Sequence, residues 1–142
     1  MPARVWELDR YCSKSVFIVG PGFNGWNVLQ LLISEGYSVT GFVRRKERAE
    51  QIQASGASVI MGDLGEKASI TQQTLKHDVV IHTATANHLP SAETILGGIK
   101  QRARNDQMTT YILTSETSVL DDGAAGMHKT DKVYHDNVSS PR

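Results

Sequence analysis

Three glycines share a spacing, G-x-G-x-x-G, that is typical of a loop holding a pyrophosphate: Gly20, Gly22 and Gly25. The first glycine of such a loop permits a tight turn, the second lets the backbone approach the phosphates, and the third lets the following helix pack closely on the strand. The free N–H groups at the start of that helix, near Phe23 and Asn24, carry a partial positive charge. The spacing therefore predicts a dinucleotide site, and the alternative is a glycine-rich turn that binds nothing.

A pair of arginines, Arg44 and Arg45, stands about 20 residues past the glycine loop, where an acidic residue would hold the adenosine ribose 2′-hydroxyl of NAD(H). The segment GFVRR at 41–45 contains no carboxylate. Because guanidinium groups bind phosphate in a bidentate geometry, the pair predicts a preference for NADP(H) over NAD(H). In the alternative interpretation these arginines, with Lys46 and Arg48, form only the solvated start of a helix.

Apolar runs and helical patterns alternate along the chain and indicate how the glycine loop is positioned. We predict strands over residues 15–20, 37–43, 58–61, 78–83 and 109–114. We predict helices from Trp26 to a stop at Gly36, and over residues 46–54, 66–76 and 89–104. Such alternation with short connections implies right-handed crossovers and a parallel sheet. The expected fold is α/β, a Rossmann-like doubly wound parallel sheet of about five strands in the order 3-2-1-4-5, with helices on both faces and the ligand crevice between strands one and four.

The composition argues against several classes of function. Among the 142 residues, 15 Lys and Arg balance 15 Asp and Glu, so we expect neither nucleic acid nor a membrane surface as a partner. The single cysteine, Cys12, and the lack of Cys/His pairs at ligand spacing predict no metal site and fit a reducing, cytoplasmic location. The length suits one domain. We expect an N-terminal extension at 1–14, a dinucleotide-binding domain at 15–118 and an irregular C-terminal tail at 119–142.

Four segments together resemble the short-chain dehydrogenase/reductase superfamily, in its extended and atypical branch of NAD-dependent epimerase/dehydratase-like proteins. They are the glycine loop, GDL at 62–64, DVVIHTA at 78–84 and ILTS at 112–115. The resemblance implies that Asp63 and Leu64 lie on either side of the adenine, and that Thr83 and Ala84 lie beside the ribose and nicotinamide of the cofactor. In the alternative, Asp63 caps the next helix. Inside its apolar strand, His82 is expected to be packed rather than catalytic.

The chain departs from the family pattern in two places. Its glycine loop is one residue shorter than the G-x-x-G-x-x-G common in these enzymes. The family's catalytic pair, Y-x-x-x-K, occurs nowhere in the chain, since Tyr134 is followed at the matching place by Val138. The place of the family's Ser or Thr holds Glu116, with Ser115 and Thr117 on either side. The catalytic residues are therefore unassigned, with Ser115, Glu116, Thr117 and Tyr134 as candidates.

Three hypotheses about function remain open. In the first, the chain is the cofactor-binding half of an NADP(H)-dependent reductase or epimerase-like oxidoreductase. In the second, which the absent Y-x-x-x-K pair favours, it is a non-catalytic dinucleotide-binding or regulatory module. The third keeps the fold without the cofactor and uses Glu116, His82 or His88 for isomerase or lyase chemistry.

The fifth predicted strand bears on the partners of the chain. Relatives in this branch are typically longer and build the substrate pocket from a second half that has no counterpart in this sequence. An uncovered strand at 109–114 is an apolar edge that favours pairing with another chain. We therefore expect a homodimer, a partner chain over this edge, or a truncated gene product.

Overall fold

Strands and helices alternate in the computed structural model, which describes residues 14–85 and 88–114 and, beyond them, only the backbone of two short strands. The strands of the main sheet are β1 (Ser15–Val19), β2 (Ser38–Val43), β3 (Ser58–Met61), β4 (Val79–His82) and β5 (Thr110–Leu113). The helices between them are α1 (Phe23–Ser34), α2 (Lys46–Ala54), α3 (Lys67–Lys76) and α4 (Leu89–Arg104). The two short strands are β6 (Leu120–Asp121) and β7 (Lys132–Val133). The predicted elements of residues 15–114 are thus confirmed to within a few residues.

The main sheet is parallel and has the strand order β3-β2-β1-β4-β5, as predicted. Val16 of β1 lies between Val39 of β2 and Val79 of β4, which fixes the register of the three central strands. The chain first winds from β1 outward to β3 and then returns to the other side of β1. The winding therefore reverses between β1 and β4, and ligand crevices of such sheets lie at the carboxyl ends of the strands at this point.

Each face of the sheet carries its own apolar core. Val16 and Ile18 of β1 face α1 and α2, where Leu29 and Ile52 are fully buried. The alternate residues of β1 face α3 and α4, together with Ile70 and Ile95. Because β1 is covered on both faces, its sequence is a continuous apolar run rather than an alternating one.

A buried arginine secures β5 at the end of the sheet opposite the crevice. Arg102 of α4 donates to Asp78 Oδ1 at 2.9 Å, to Leu75 O at 2.9 Å and to Thr109 Oγ1 at 2.8 Å. These bonds join the segments that lead into β4 and β5, so the edge strand is held at its start.

Parts of the predicted extension and tail lie outside the described residues. These parts are residues 1–13 of the extension and most of the tail at 119–142, where only β6 and β7 are described, as an antiparallel pair. None of the helices in the described part of the chain is long and apolar enough to cross a membrane.

Candidate functional site

An open cleft of about 470 Å³ lies where β1, β2 and β3 end. Its walls come from the loops that follow these strands and β4, which the strand order brings to one edge of the sheet. Most of the residues predicted to hold a cofactor line it: Gly20, Gly22, Arg44, Arg45, Asp63, Leu64 and Ala84. Positions up to 64 residues apart in sequence therefore meet at the place where the fold predicts a ligand.

Gly20 ends β1 in a conformation that requires glycine. Its φ of +66° lies in the left-handed region that side chains rarely adopt. A Cβ at this position would also overlap the Cβ of Ala84 and come within 2.8 Å of its Cα. The Gly20 N–H donates to Phe42 O at 2.9 Å, which ties the turn to β2. The first glycine of the loop is thus fixed by backbone geometry and by the close approach of the β4 loop.

The first turn of α1 faces the cleft with unused backbone donors. Gly22 is the N-cap residue, and no side chain of the described residues caps the helix. The N–H groups of Phe23, Asn24 and Gly25 have no acceptor within the helix, and the ladder begins with Trp26 N–H to Gly22 O at 2.9 Å. A Cβ on Gly22 would meet no atom within 4 Å. The second glycine is therefore not required by the protein's own packing, and the space beside it is open to a ligand.

The side chains of Phe23 and Asn24 do not line the cleft. Phe23 is 82% exposed, and Asn24 is also exposed. Both residues can therefore contribute to a ligand in the cleft through their main-chain N–H groups.

Thr83 supports the glycine loop from the end of β4. Its hydroxyl donates toward Gly20 O at 3.2 Å and Val19 O at 3.3 Å. A Cβ on Gly25 would lie 2.5 Å from this hydroxyl oxygen, so the third glycine lets α1 pack against Thr83. Because its hydroxyl is already engaged and it does not line the cleft, Thr83 acts on the site through the loop.

The wall after β2 is strongly basic. Arg44 and Arg45 are exposed, and Arg48 of α2 lines the same cleft while half-buried. The Arg48 guanidinium lies 5.6 Å from the centroid of the Trp26 ring and donates to Gln51 Oε1 at 3.1 Å. Among residues 14–85 and 88–114, no carboxylate lies within 4.0 Å of any of these three arginines. Their positive charges therefore face the cleft without a neutralising partner.

The sequence includes Arg48 only in the alternative interpretation, as part of a solvated helix start. The signal that could have placed it at the cleft is its position in the first turn of α2, directly after the arginine pair. Its contact with Trp26 depends on how α1 and α2 pack together, which this position does not indicate.

Asp63 organises the turn after β3 and does not cap α3. Its Oδ1 accepts from Gly65 N–H at 3.2 Å, and its own N–H donates to Glu66 Oε1 at 3.1 Å. The N-cap residue of α3 is Glu66. The alternative interpretation of Asp63 as the helix cap is therefore wrong, because the turn at Leu64 and Gly65 separates it from the helix. Its carboxylate is exposed on the wall of the cleft.

His82 is packed inside the fold, as predicted. Its side chain is 1% exposed, with Nδ1 at 3.4 Å from Tyr111 Oη and Nε2 at 3.4 Å from Ser91 Oγ. The Ser91 hydroxyl donates to His88 O at 2.8 Å, so it accepts from His82 Nε2 and leaves Nδ1 to accept from Tyr111. Burial lowers the pKa of His82, and nearby His88 lowers it further. The imidazole therefore stays neutral and joins β4 to β5 and α4.

The candidate catalytic residues Ser115, Glu116, Thr117 and Tyr134 lie outside the residues whose side chains are described. His88 is the N-cap residue of α4, where its Nδ1 accepts from Ser91 N–H at 3.2 Å. No group of three or more His, Cys, Asp or Glu side chains in the described ranges could hold a metal ion.

Comparison with known sequences relates the chain to oxidoreductases. A profile of the family described as NAD(P)H-binding matches residues 20–138. The chain is 32% identical over 112 residues to 4-hydroxy-2-methyl-3-oxo-4-farnesyl-3,4-dihydroquinoline-1-oxide ketoreductase of Stigmatella aurantiaca, a match covering 73% of the chain and 34% of that enzyme. It is 35% identical over 81 residues to the 2-alkyl-3-oxoalkanoate reductase of Shewanella oneidensis, covering 55% of the chain and 20% of the enzyme. The sterol-4-alpha-carboxylate 3-dehydrogenase (decarboxylating) of Dictyostelium discoideum is 33% identical over 72 residues, covering 50% of the chain and 22% of that enzyme. The chain thus spans about a third or less of the length of these relatives.

Solved structures share the fold at lower identity. The anaerobillin reductase of Escherichia coli O157:H7 superposes with a TM-score of 0.62 at 18% identity, covering 78% of the chain and 57% of that structure. The yeast methylglyoxal/isovaleraldehyde reductase complexed with NADPH gives a TM-score of 0.55 at 23% identity, covering 78% and 39%. These structures support the Rossmann architecture, and the sequence comparisons support the resemblance drawn from the motifs. The chain therefore belongs to the NAD(P)H-binding family, in the extended branch of the short-chain dehydrogenase/reductase superfamily, and the cofactor of this family is a nicotinamide dinucleotide.

Proposed function

We propose that the chain binds NADP(H) in the cleft at the ends of β1, β2 and β3, as the cofactor-binding part of a carbonyl reductase. The observation that carries this proposal is the presence of three unneutralised guanidinium groups in the same cleft as the glycine loop: Arg44, Arg45 and Arg48. A site for NAD(H) would carry a carboxylate after β2 to accept from the ribose hydroxyls. Here that carboxylate is replaced by donors suited to a phosphate.

The pyrophosphate is assigned to the first turn of α1. The N–H groups of Phe23, Asn24 and Gly25 lack helical acceptors, and the partial positive charge of a helix N-terminus favours an anion there. The space above Gly22 is open and would be filled by any side chain. The loop therefore fits a diphosphate even though it is one residue shorter than the usual family loop.

The adenosine is assigned to the side of the cleft formed after β2 and β3. Asp63 and Leu64 line this wall, with the Asp63 carboxylate exposed and Leu64 half-buried against the core. An apolar surface beside a hydrogen-bond acceptor suits an adenine ring with its exocyclic amine. Arg44 and Arg45 stand at the neighbouring strand end, where the ribose 2′-phosphate would lie. Ala84 leaves the opposite wall open for the ribose and nicotinamide.

The reaction is proposed from the names of the relatives. Those compared above are a ketoreductase, a 3-oxoalkanoate reductase and a 3-dehydrogenase, and the substrates in their names carry farnesyl, alkyl or sterol groups. We assign to the whole protein the reduction of a ketone on a largely apolar substrate. The nicotinamide would supply the hydride, and a protein group would supply the proton to the carbonyl oxygen. Ser115, Glu116, Thr117 and Tyr134 remain the proposed source of that proton.

A non-catalytic dinucleotide-binding module is the second candidate. The observation that favours it is the lack of a Y-x-x-x-K pair among the 142 residues. Turnover of a ketone with NADPH by this chain would remove this candidate. The exposed apolar residues of β5, Ile112 at 48% and Leu113 at 42%, favour a second copy or a partner chain over this edge in either case.

The test of the cofactor assignment is the affinity of the chain for NADPH and NADH, measured by titration calorimetry, with an Arg44→Asp variant. Losing a charged hydrogen bond costs about 1.5–3 kcal/mol, so NADPH binding should weaken by that amount while NADH binding changes much less. Arg104→Asp, the same charge change at the exposed end of α4, is the matched control. Equal losses for both cofactors in Arg44→Asp would contradict the 2′-phosphate role.

A further inference from the structure

We propose that Trp26 sets the preference for NADP(H) by holding Arg48 in place, so that its guanidinium faces the 2′-phosphate before the cofactor binds. The inference rests on the proposed function and adds a positioning residue that does not line the cleft itself. Trp26 would act only through Arg48.

The contact between the two side chains is a cation–π pair. The Arg48 guanidinium lies 5.6 Å from the centroid of the Trp26 ring, within the distance at which the ring face attracts a cation. Trp26 is half-buried and packs against the core formed with α1 and α2. Its ring is therefore a fixed surface, whereas Arg48 would otherwise be a long and mobile side chain.

A second contact restricts the far end of Arg48. Its Nη1 donates to Gln51 Oε1 at 3.1 Å, three residues further along α2. One N–H of the guanidinium bonds to Gln51 while the Trp26 ring lies against the group. Because a guanidinium has five N–H donors in all, the others remain available to a phosphate. Arg44 and Arg45 are exposed and form no hydrogen bond or ion pair with the side chains that the structure describes. Arg48 is thus the one of the three cleft arginines that the described protein holds in a defined place.

The position of the pair in the fold connects two parts of the proposed site. Trp26 follows Gly25 in the first turn of α1, and Arg48 lies in the first turn of α2. These turns follow β1 and β2, whose ends frame the cleft. The helix turn assigned to the pyrophosphate therefore carries the ring that orients a cation toward the neighbouring phosphate. A group that is held before binding loses less conformational freedom when the ligand arrives.

The experiment measures the affinities of NADPH and NADH for the full chain and four variants: Trp26→Leu, Trp26→Phe, Arg48→Gln and the double variant Trp26→Leu/Arg48→Gln. A cation–π pair at a partly exposed site contributes about 0.5–1 kcal/mol, so Trp26→Leu should weaken NADPH binding about two- to fivefold. NADH binding should stay the same. Trp26→Phe keeps an aromatic face and should retain most of the NADPH affinity.

The double variant separates positioning from packing. If Trp26 acts through Arg48, Trp26→Leu should cause no further loss of NADPH affinity once Arg48→Gln is present. Additive losses would overturn the proposal, and so would equal losses for NADPH and NADH in Trp26→Leu, because these indicate a general packing effect. Should Trp26→Leu fold poorly in thermal melts, Trp26→Phe and Arg48→Gln still give the NADPH-to-NADH ratio. Failure of the proposed function looks different, since the unsubstituted chain would then show no preference for NADPH.

Discussion

Replacing Gly22 with alanine tests whether this glycine is needed for binding a ligand or for the stability of the fold. The added Cβ would meet no protein atom within 4 Å, so the methyl group would overlap nothing in the described part of the chain. The free energy of unfolding should therefore stay within about 0.5 kcal/mol of the parent value, as for surface substitutions. The same methyl group would stand above the α1 N-terminus, in the space assigned to the diphosphate.

The expected loss of binding follows from the hydrogen bonds that the methyl group would displace. Losing one charged hydrogen bond costs about 1.5–3 kcal/mol, which corresponds to a rise of about ten- to 150-fold in the Kd of NADPH. Calorimetric titration and urea unfolding of the same sample give both quantities.

Gly97→Ala is the matched control, because it also adds a methyl group to open space, on the exposed side of α4. It should raise stability by about 0.5–1 kcal/mol, since alanine favours a helix over glycine, and leave the Kd unchanged. Parent-like affinity in Gly22→Ala would refute the assignment of the diphosphate to this turn.

Two further predictions concern the stability of the fold around the site: the effect of a substitution at Gly20 and the dependence of stability on pH. Gly20→Ala should lower the free energy of unfolding by about 2–5 kcal/mol in urea titrations. The left-handed backbone contributes strain of about 1–2 kcal/mol, and the overlap with Ala84 costs about 1–3 kcal/mol. A parent-like free energy of unfolding would show that the turn has another conformation. Burial lowers the pKa of His77 and His82 in the folded chain below the usual 6.5, so their contribution to stability is complete above that pH and falls as the pH drops through 6.5 toward the folded pKa values. Each histidine can contribute up to about 1.4 kcal/mol per pH unit. His77→Gln should therefore reduce the slope of the unfolding free energy against pH between pH 7 and pH 5. An unchanged slope would contradict the lowered pKa of the buried His77 ring.

The strands and their order were predictable because burial on both faces leaves a strong local pattern. β1 and β4 are continuous apolar runs, and the glycine loop after β1 marks the first crossover of a doubly wound sheet. The turn conformation of Gly20 follows from the same motif. These features depend on residues that are neighbours in sequence, so the pattern contains them.

The supports of the cleft were not predictable, because they depend on distant residues meeting. The Thr83 hydroxyl bonds to the loop across the β1–β4 pair, and Arg48 meets Trp26 only because α1 and α2 lie on the same face of the sheet. Asp63 was open to two interpretations, and the turn at Gly65 excludes the helix-cap interpretation, since Glu66 is the cap residue. The predicted catalytic candidates remain predictions, since their side chains lie outside the described residues.

Amide NMR spectra of the chain, recorded during a titration with NADPH, test the central claim most directly. The largest shifts should fall on the N–H groups of Phe23, Asn24 and Gly25, which are assigned to the diphosphate, and on those of Arg44 and Arg45 beside the 2′-phosphate. A parallel titration with NADH should move the first group and leave the second nearly unchanged. Shifts confined to another surface, or none at saturating NADPH, would contradict the account.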